Sequence, residues 1–212
     1  MRRARARRIR GLYALTPECD DTQALVSMVA AALEGGACAV QYRSKRAEAG
    51  RAQQAQALAR VLAARGGVYI VNDDPALARA VGADGVHIGR DDPSIAAARE
   101  LLGPERLIGV SCYGDLARAR DAIAHGADYV AFGSFFGSST KPQAQRADAS
   151  LLVQARTLGV PVVAIGGITA QNVRSLIDAG ADAVAVISDV FAHGDVDDVR
   201  AAAEAIARQF ES

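Results

Sequence analysis

Residues 160–172 read V-P-V-V-A-I-G-G-I-T-A-Q-N and decide the fold. The apolar run is too short for a helix and does not alternate with polar residues, which is typical of a strand covered on both faces in a parallel sheet. Gly166 and Gly167 follow it, and Thr169 is a candidate N-cap for a helix beginning near Ala170. Together these elements predict an anion site, because free N–H groups and a positive helix end favour phosphate. The alternative is that the glycines serve only a tight turn.

A second apolar strand follows at residues 183–188 and ends in Ser188. Two adjacent strand ends that face one phosphate are typical of the last two strands of many (β/α)₈ barrels. The phrase G-A-D, followed by an apolar run, begins at Gly82, Gly126 and Gly180, and a weaker G-A-C-A-V-Q-Y begins at Gly36. Each copy predicts a helix end, a short turn and a buried strand, so the same joint is repeated along the chain.

The whole chain divides into eight strand-helix units without a linker. The predicted strands are 11–16, 37–43, 68–72, 85–89, 107–111, 129–133, 160–165 and 183–188. The predicted helices are 21–35, 49–65, 75–81, 93–102, 116–125, 149–158, one beginning near 170, and 196–210. This alternation predicts an α/β fold with a parallel eight-stranded sheet, and eight units favour a single (β/α)₈ TIM barrel. An open doubly wound sheet is the structural alternative.

The composition is that of an ordinary single-domain protein. The chain has 212 residues, with 24 basic and 24 acidic side chains, so no global charge attracts it to nucleic acid or membrane. No apolar run is long enough to span a bilayer. The three cysteines lack metal-ligand spacing, and we therefore expect reduced thiols in a cytoplasmic protein. Whether the protein forms a homo-oligomer stays open.

The first ten residues, M-R-R-A-R-A-R-R-I-R, are the local exception, with six arginines. No apolar core of signal-peptide length follows them, so secretion is not predicted. We expect residues 1–10 to be a disordered basic tail and residues 11–212 to be the catalytic barrel domain. A contact with anions or RNA is the alternative role of the tail.

Chemistry in such a barrel sits at the carboxyl ends of the strands. The second predicted strand ends in Gln41, Arg43 and Lys45, which alternate and can point the same way along extended chain. Two cations and an amide suit a polyanion such as pyrophosphate, for which arginine offers a bidentate fork. A solvated basic loop is the alternative.

Carboxylates follow the third and fourth predicted strands, as Asp73 and Asp74 and as Asp91 and Asp92. Carboxylates from adjacent strand ends beside an anion site fit Mg²⁺, which proteins hold by one or two carboxylates and by substrate phosphates. Helix N-capping is the competing use, since a proline follows each pair. We therefore assign Asp74 and Asp91 to capping before Asp73 and Asp92.

The remaining strand ends carry hydroxyl groups. Ser111 ends the fifth predicted strand without a neighbouring His or Asp pattern, so nucleophilic catalysis by it is not expected. Residues 138–141 place three hydroxyls and a lysine after the sixth strand, where a small polar loop is the alternative. The three histidines do not form a metal set, and histidine acid-base catalysis is not predicted. The strand ends thus predict a site for two phosphorylated ligands.

Seven short motifs stand at successive strand ends from residue 11 onward. They are Q-Y-R-S-K at 41–45, V-N-D at 71–73, G-V-H-I-G-R-D-D at 85–92, G-V-S at 109–111, F-G-S-F-F-G-S-S-T-K at 132–141, A-I-G-G-I at 164–168 and V-I-S at 186–188. In this order they resemble the thiamine-phosphate synthase family. That family joins hydroxymethylpyrimidine diphosphate to a thiazole phosphate, releasing pyrophosphate and giving thiamine phosphate in the presence of Mg²⁺.

The resemblance implies a role for each matching residue. The pyrimidine diphosphate would be bound by Gln41, Arg43, Lys45, Asn72, Ser111 and Lys141. The thiazole phosphate would be bound by Ser138, Ser139, Thr140, Gly167, Ile187 and Ser188. One Mg²⁺ per subunit would be held by Asp73 and Asp92, and the catalytic contributions would come from Arg43, Lys45, Ser111 and Lys141.

The chain departs from the family pattern at one place, and three rival functions fit its residues less well. The family commonly has Pro-Thr where this chain has Gly137-Ser138, so a stiff proline and a methyl group are lost. A related thiazole tautomerase would have a histidine where this chain has Tyr113. A regulator that binds thiazole phosphate without catalysis would not need a metal-diphosphate clamp. A sugar-phosphate aldolase or epimerase would need a lysine inside a strand or paired acids on facing strands.

Overall fold

Eight parallel strands close into a barrel in chain order, with the first strand pairing with the last. This computed structural model describes residues 2–137, 146–192 and 195–211. The strands are β1 (Gly11–Leu15), β2 (Ala37–Tyr42), β3 (Val68–Asn72), β4 (Gly85–Ile88), β5 (Leu107–Tyr113), β6 (Tyr129–Gly133), β7 (Val162–Ile165) and β8 (Ala183–Val186). The predicted (β/α)₈ TIM barrel is therefore confirmed.

The helices lie around the outside of the barrel, except for the first, which lies at the amino ends of the strands. They are α1 (Arg2–Ala6), α2 (Thr22–Glu34), α3 (Glu48–Arg65), α4 (Pro75–Ala80), α5 (Ile95–Leu102), α6 (Leu116–Ala124), α7 (Ser150–Ala155), α8 (Val173–Ala179), α9 (Ser188–Phe191) and α10 (Val196–Ala207). Single 3₁₀ turns extend α7 and α10, at Arg156–Leu158 and Arg208–Phe210. Five of the ten α-helices in the described residues begin with a side-chain cap; Asp21, for example, accepts hydrogen bonds from the N–H groups of Gln23 and Ala24.

Both faces of the strands are buried, which explains their continuous apolar runs. In β1, Tyr13 and Leu15 point into the barrel, while Leu12 and Ala14 pack against the surrounding helices. The alternation of a strand thus divides the core into an interior cluster and a strand-helix layer. The carboxyl ends of all eight strands meet at one end of the barrel.

The repeated G-A-D phrase is explained by a hydrogen bond from its aspartate to the neighbouring strand. The carboxylate of Asp84 accepts from the N–H of Tyr69 at 2.9 Å. Asp128 accepts from Ile108 N–H at the same 2.9 Å, and Asp182 accepts likewise from Val162. Each aspartate therefore ties the strand that it precedes to the strand before it, at the amino ends of the barrel strands.

Two predicted helix starts lie further along the chain in the structure. The helix expected near Ala170 begins at Val173, because the N–H of Thr169 donates to the side chain of Asn172 and the N–H of Ala170 donates to Asp189. The fifth helix begins at Ile95 with Ser94 as its N-cap, so Asp91 does not cap it. The structure does assign Asp74 to capping, since its carboxylate accepts from Leu77 N–H.

The arginine-rich start of the chain differs from the disordered tail that its composition predicts. Residues Arg2–Ala6 form α1, which lies at the amino ends of the strands, opposite the carboxyl ends. Arg2 pairs with Asp128 at 2.8 Å and Arg5 pairs with Asp84 at 3.3 Å. Ile9 is fully buried in the interior cluster of the barrel. The segment therefore closes the bottom of the barrel with apolar packing and two ion pairs.

Replacement of Ile9 by alanine tests this role of the N-terminal segment. We expect the free energy of unfolding to fall by about 2 to 5 kcal/mol, the usual cost of truncating a buried isoleucine. Denaturant unfolding of the two proteins measures it. The matched control is Arg8→Ala, since Arg8 is exposed and its loss should change stability by less than about 0.5 kcal/mol. An unchanged denaturation midpoint in Ile9→Ala would contradict the packing of this segment and would favour a disordered tail.

Within the residues that the structure describes, no helix is both long enough and apolar enough to cross a membrane.

Candidate active site

A large open cavity lies at the carboxyl ends of the strands, with a volume of about 1480 Å³. Side chains and turns from every strand end line it. Predicted site residues in its wall are Gln41, Arg43, Asn72, Asp73, Asp92, Ser111, Gly167, Ile187 and Ser188. Residues that are far apart in the chain thus meet in one cavity. The predicted site residues Ser138, Ser139, Thr140 and Lys141 lie outside the described residues.

The end of β2 supplies an amide and a guanidinium. Gln41 is buried, and its Nε2 donates to the hydroxyl of Tyr13 at 3.0 Å. Arg43 lines the cavity, and its Nη1 lies 3.5 Å from Glu18 Oε1. Lys45 is exposed and does not line the cavity, although its backbone N–H donates to Glu18. The alternation expected for the three residues ends early, because β2 stops at Tyr42.

The ends of β3 and β4 bring two carboxylates to the cavity. Asn72 Nδ2 donates to Asp73 Oδ2 at 2.5 Å, and Asp73 has a positive φ of 62°. Asp92 Oδ2 accepts from the N–H of Gly89 at 2.6 Å. Among the described residues no group of three or more His, Cys, Asp or Glu side chains could hold a metal. A pair of cavity-lining carboxylates fits Mg²⁺, which completes its shell with water and substrate phosphates.

A chain of hydrogen-bonded side chains forms the floor of the cavity. His87 Nε2 lies 2.9 Å from Ser111 Oγ, and His87 Nδ1 lies 3.1 Å from the hydroxyl of Tyr129. The Tyr129 hydroxyl lies 3.0 Å from that of Tyr13, which accepts from Gln41. Gln41 and Ser111 are therefore connected through the barrel interior, and their positions depend on each other.

Burial sets the ionisation of this network. It lowers the pKa of His87 to about 4, with a smaller opposing influence from Asp92. Burial also raises the pKa values of Tyr13 and Tyr129 above the ordinary tyrosine value. The imidazole and both hydroxyls are therefore neutral near pH 7 and act as hydrogen-bonding groups. Sequence reasoning missed Tyr13, His87 and Tyr129, although each is a polar residue inside a predicted strand.

The depressed pKa of His87 predicts a pH dependence of stability. Between pH 6.5 and 4 the unfolded chain binds a proton at this position and the folded chain does not, so stability falls as the pH is lowered. The loss should reach at most roughly 3 kcal/mol below pH 4. Unfolding titrations of the wild type and of His87→Gln between pH 4 and 7 measure it. If the free energy of unfolding changed with pH equally in the two proteins, the result would contradict the assignment of this pH dependence to His87.

The turn after β7 is built of closely packed backbone. A Cβ on Gly166 would collide with the side chain of Ser134, and one on Gly167 would collide with the carbonyl of Gly137. Both glycines have positive φ, at 110° and 62°. No described residue accepts a hydrogen bond from the N–H of Gly167 or of Ser188, and both residues line the cavity. This side of the cavity therefore presents backbone donors to an anion.

Comparison with known proteins identifies the family. The model of the family described as thiamine monophosphate synthase matches residues 12–190. The chain belongs to this family. A thiamine-phosphate synthase of Methylobacillus flagellatus is 53% identical over 203 residues, covering 95% of this chain and 94% of that protein. One of an Azoarcus strain is 55% identical over 190 residues, covering 89% of this chain and 92% of that protein.

A solved structure has the same fold and a related sequence. The thiamine phosphate pyrophosphorylase of Pyrococcus furiosus superposes with a TM-score of 0.83 at 35% identity, covering 97% of each chain. The family inferred from the strand-end motifs is thereby confirmed, as is the prediction of a transferase of thiamine biosynthesis.

Proposed function

We propose that this chain condenses hydroxymethylpyrimidine diphosphate with the phosphate of hydroxyethylthiazole, giving thiamine phosphate and pyrophosphate. One observation carries the proposal: a single cavity has a guanidinium, an amide and two carboxylates on one side and backbone N–H donors on the other. The first side suits a diphosphate with its metal, and the second suits a monophosphate. A carboxylated thiazole would be a substrate of the same reaction, with carbon dioxide as a further product.

The reaction transfers a pyrimidinylmethyl group from the diphosphate oxygen to the thiazole nitrogen. The bond between the exocyclic methylene carbon and the diphosphate oxygen breaks first, with its electron pair leaving on pyrophosphate, and the thiazole nitrogen then donates its own electron pair to that carbon. Negative charge develops on the leaving pyrophosphate, so cationic groups that contact it lower the barrier. Arg43 lines the cavity, where its guanidinium can contact the leaving pyrophosphate. Lys141 and Lys45 are further candidates by their place in the motifs.

Mg²⁺ held by Asp73 and Asp92 would neutralise charge on the diphosphate as the bond breaks. Asn72 restrains one of these carboxylates through its 2.5 Å hydrogen bond. The N–H of Gly89 restrains the other. Both carboxylates are thus held by hydrogen bonds from neighbouring groups, as metal-ligating carboxylates usually are.

The floor network supports recognition of the pyrimidine ring. The amide nitrogen of Gln41 is occupied by Tyr13, so its amide oxygen can accept a hydrogen bond from an amino group of the ring. Ser111 contacts neutral His87 and has a hydroxyl that faces the cavity. On the opposite side, Gly167 and Ser188 would bind the thiazole phosphate and direct the thiazole nitrogen toward the methylene carbon of the pyrimidine substrate.

Pyrophosphate release with substrates omitted in turn tests the proposal. We expect equal amounts of pyrophosphate and thiamine phosphate when both substrates are present, and only slow pyrophosphate release from the pyrimidine diphosphate alone. Interconversion of thiazole phosphate isomers without pyrophosphate release would indicate a tautomerase. Tight thiazole-phosphate binding without turnover would indicate a regulator, and either outcome would overturn the proposed reaction.

A further inference from the structure

Tyr113 occupies an unusual position at the rim of the cavity. β5 extends beyond the predicted end at Ser111 to Tyr113, and its pairing with β6 shifts register between these two residues. Tyr113 has a positive φ of 56°, which is uncommon for a bulky residue. Bulges of this kind re-aim side chains beside active sites. The result is an aromatic ring that is 38% exposed and lines the cavity.

Two guanidinium groups lie close to this ring. The guanidinium carbon of Arg90 is 4.9 Å from the ring centroid, and that of Arg118 is 5.8 Å away. Arg118 also donates to the carbonyl oxygens of Ser111 at 2.9 Å and Gly89 at 3.3 Å. Arg118 therefore joins the ends of β4 and β5, and two of its N–H donors are bonded to protein carbonyl oxygens.

Arg90 has a different set of contacts. It is exposed and lines the cavity, and no carboxylate of the residues described forms an ion pair with it. Its guanidinium lies over the face of the Tyr113 ring, a geometry that arginine favours and that leaves the guanidinium edge open to an anion. Arg90 stands two residues before Asp92, on the wall that carries the proposed metal ligands.

We propose that Arg90 is a further cationic contact for the diphosphate of the pyrimidine substrate, and that Tyr113 is the residue that positions it. This inference rests on the proposed function and adds a residue to it. The guanidinium fork binds diphosphate oxygens and the pyrophosphate product bidentately. The ring restricts the long side chain of Arg90 to the cavity rim, which reduces the conformational entropy lost when the ligand binds.

The experiment measures pyrophosphate affinity by calorimetry in the presence of Mg²⁺, together with the KM of each substrate. Arg90→Ala should weaken pyrophosphate binding and raise the KM of the pyrimidine diphosphate, each by about tenfold. The KM of the thiazole phosphate should stay within about twofold, because that ligand binds the opposite side. Tyr113→Asn should have a smaller effect in the same direction, about threefold, since asparagine tolerates a positive φ but lacks the ring.

Two control variants distinguish a positioning role of the Tyr113 ring from a general effect on the structure. Tyr113→Phe keeps the ring and should retain wild-type pyrophosphate affinity. Arg120→Ala removes an exposed arginine of α6 outside the cavity and should also have no effect. Wild-type affinity in Arg90→Ala, or equal changes in both KM values, would overturn this inference while leaving the proposed function intact. A wild type that neither binds pyrophosphate nor forms product would instead overturn the proposed function, and the inference with it.

Discussion

Replacement of Arg43 by alanine is expected to lower kcat/KM for the pyrimidine diphosphate by about two to three orders of magnitude. The backbone of Arg43 is rigidly held, because the fully buried Thr16 hydroxyl accepts from its N–H at 2.9 Å and donates to its carbonyl at 3.0 Å. Within the part of the chain that the structure describes, its guanidinium pairs with Glu18 at 3.5 Å, a long contact that lets it turn to a ligand. Steady-state kinetics with varied pyrimidine diphosphate measure the loss.

Two further variants sharpen the test at Arg43. Arg43→Lys keeps the charge and loses the fork, so an intermediate activity is expected. Arg46→Ala removes an arginine from the same connection, whose guanidinium donates to the carbonyl of Asp20 and does not line the cavity. Its kcat/KM should stay within about threefold of the wild type. Equal losses in the Arg43 and Arg46 alanine variants would contradict a specific role for Arg43.

Replacement of Asp92 by alanine is expected to lower kcat by about two orders of magnitude and to raise the Mg²⁺ concentration needed for half-maximal activity. One oxygen of Asp92 is held by Gly89 N–H, so the carboxylate is fixed at the cavity wall. Rate measurements over a Mg²⁺ titration determine both quantities.

Asp92→Asn separates the metal role from the structural one. The asparagine carbonyl can still accept from Gly89, so the turn should persist, but the negative charge that attracts Mg²⁺ is lost. Glu100→Ala, at an exposed position of α5 away from the cavity, controls for the loss of a surface carboxylate. An unchanged Mg²⁺ dependence in Asp92→Asn would contradict the proposed metal site.

The barrel could be predicted because its determinants are local. Each strand is a short apolar run, and the aspartates of the G-A-D phrase mark the joints at which strands begin. Polar residues at strand ends predict the cavity wall for the same reason, since parallel strands bring their carboxyl ends together. This principle alone predicts that Gln41, Ser111 and Ser188 lie in one cavity, and all three line the cavity of the structure.

The features that sequence reasoning missed depend on long-range contacts. The arginine-rich segment is ordered by Asp84 and Asp128, which no local pattern connects to residues 2–10. Lys45 does not line the cavity, because the alternation of side chains along β2 ends at Tyr42. The bulge that turns Tyr113 toward Arg90 arises from pairing with β6, so its position in the chain did not reveal it.

The central claim is that this protein condenses two phosphorylated substrates in the cavity with the help of Mg²⁺. The most direct test incubates the purified protein with hydroxymethylpyrimidine diphosphate and the thiazole phosphate, first with Mg²⁺ and then with EDTA, and identifies thiamine phosphate by mass spectrometry. We predict product with Mg²⁺ and at least about a hundredfold less with EDTA. Folded protein that forms no thiamine phosphate under either condition would contradict the claim.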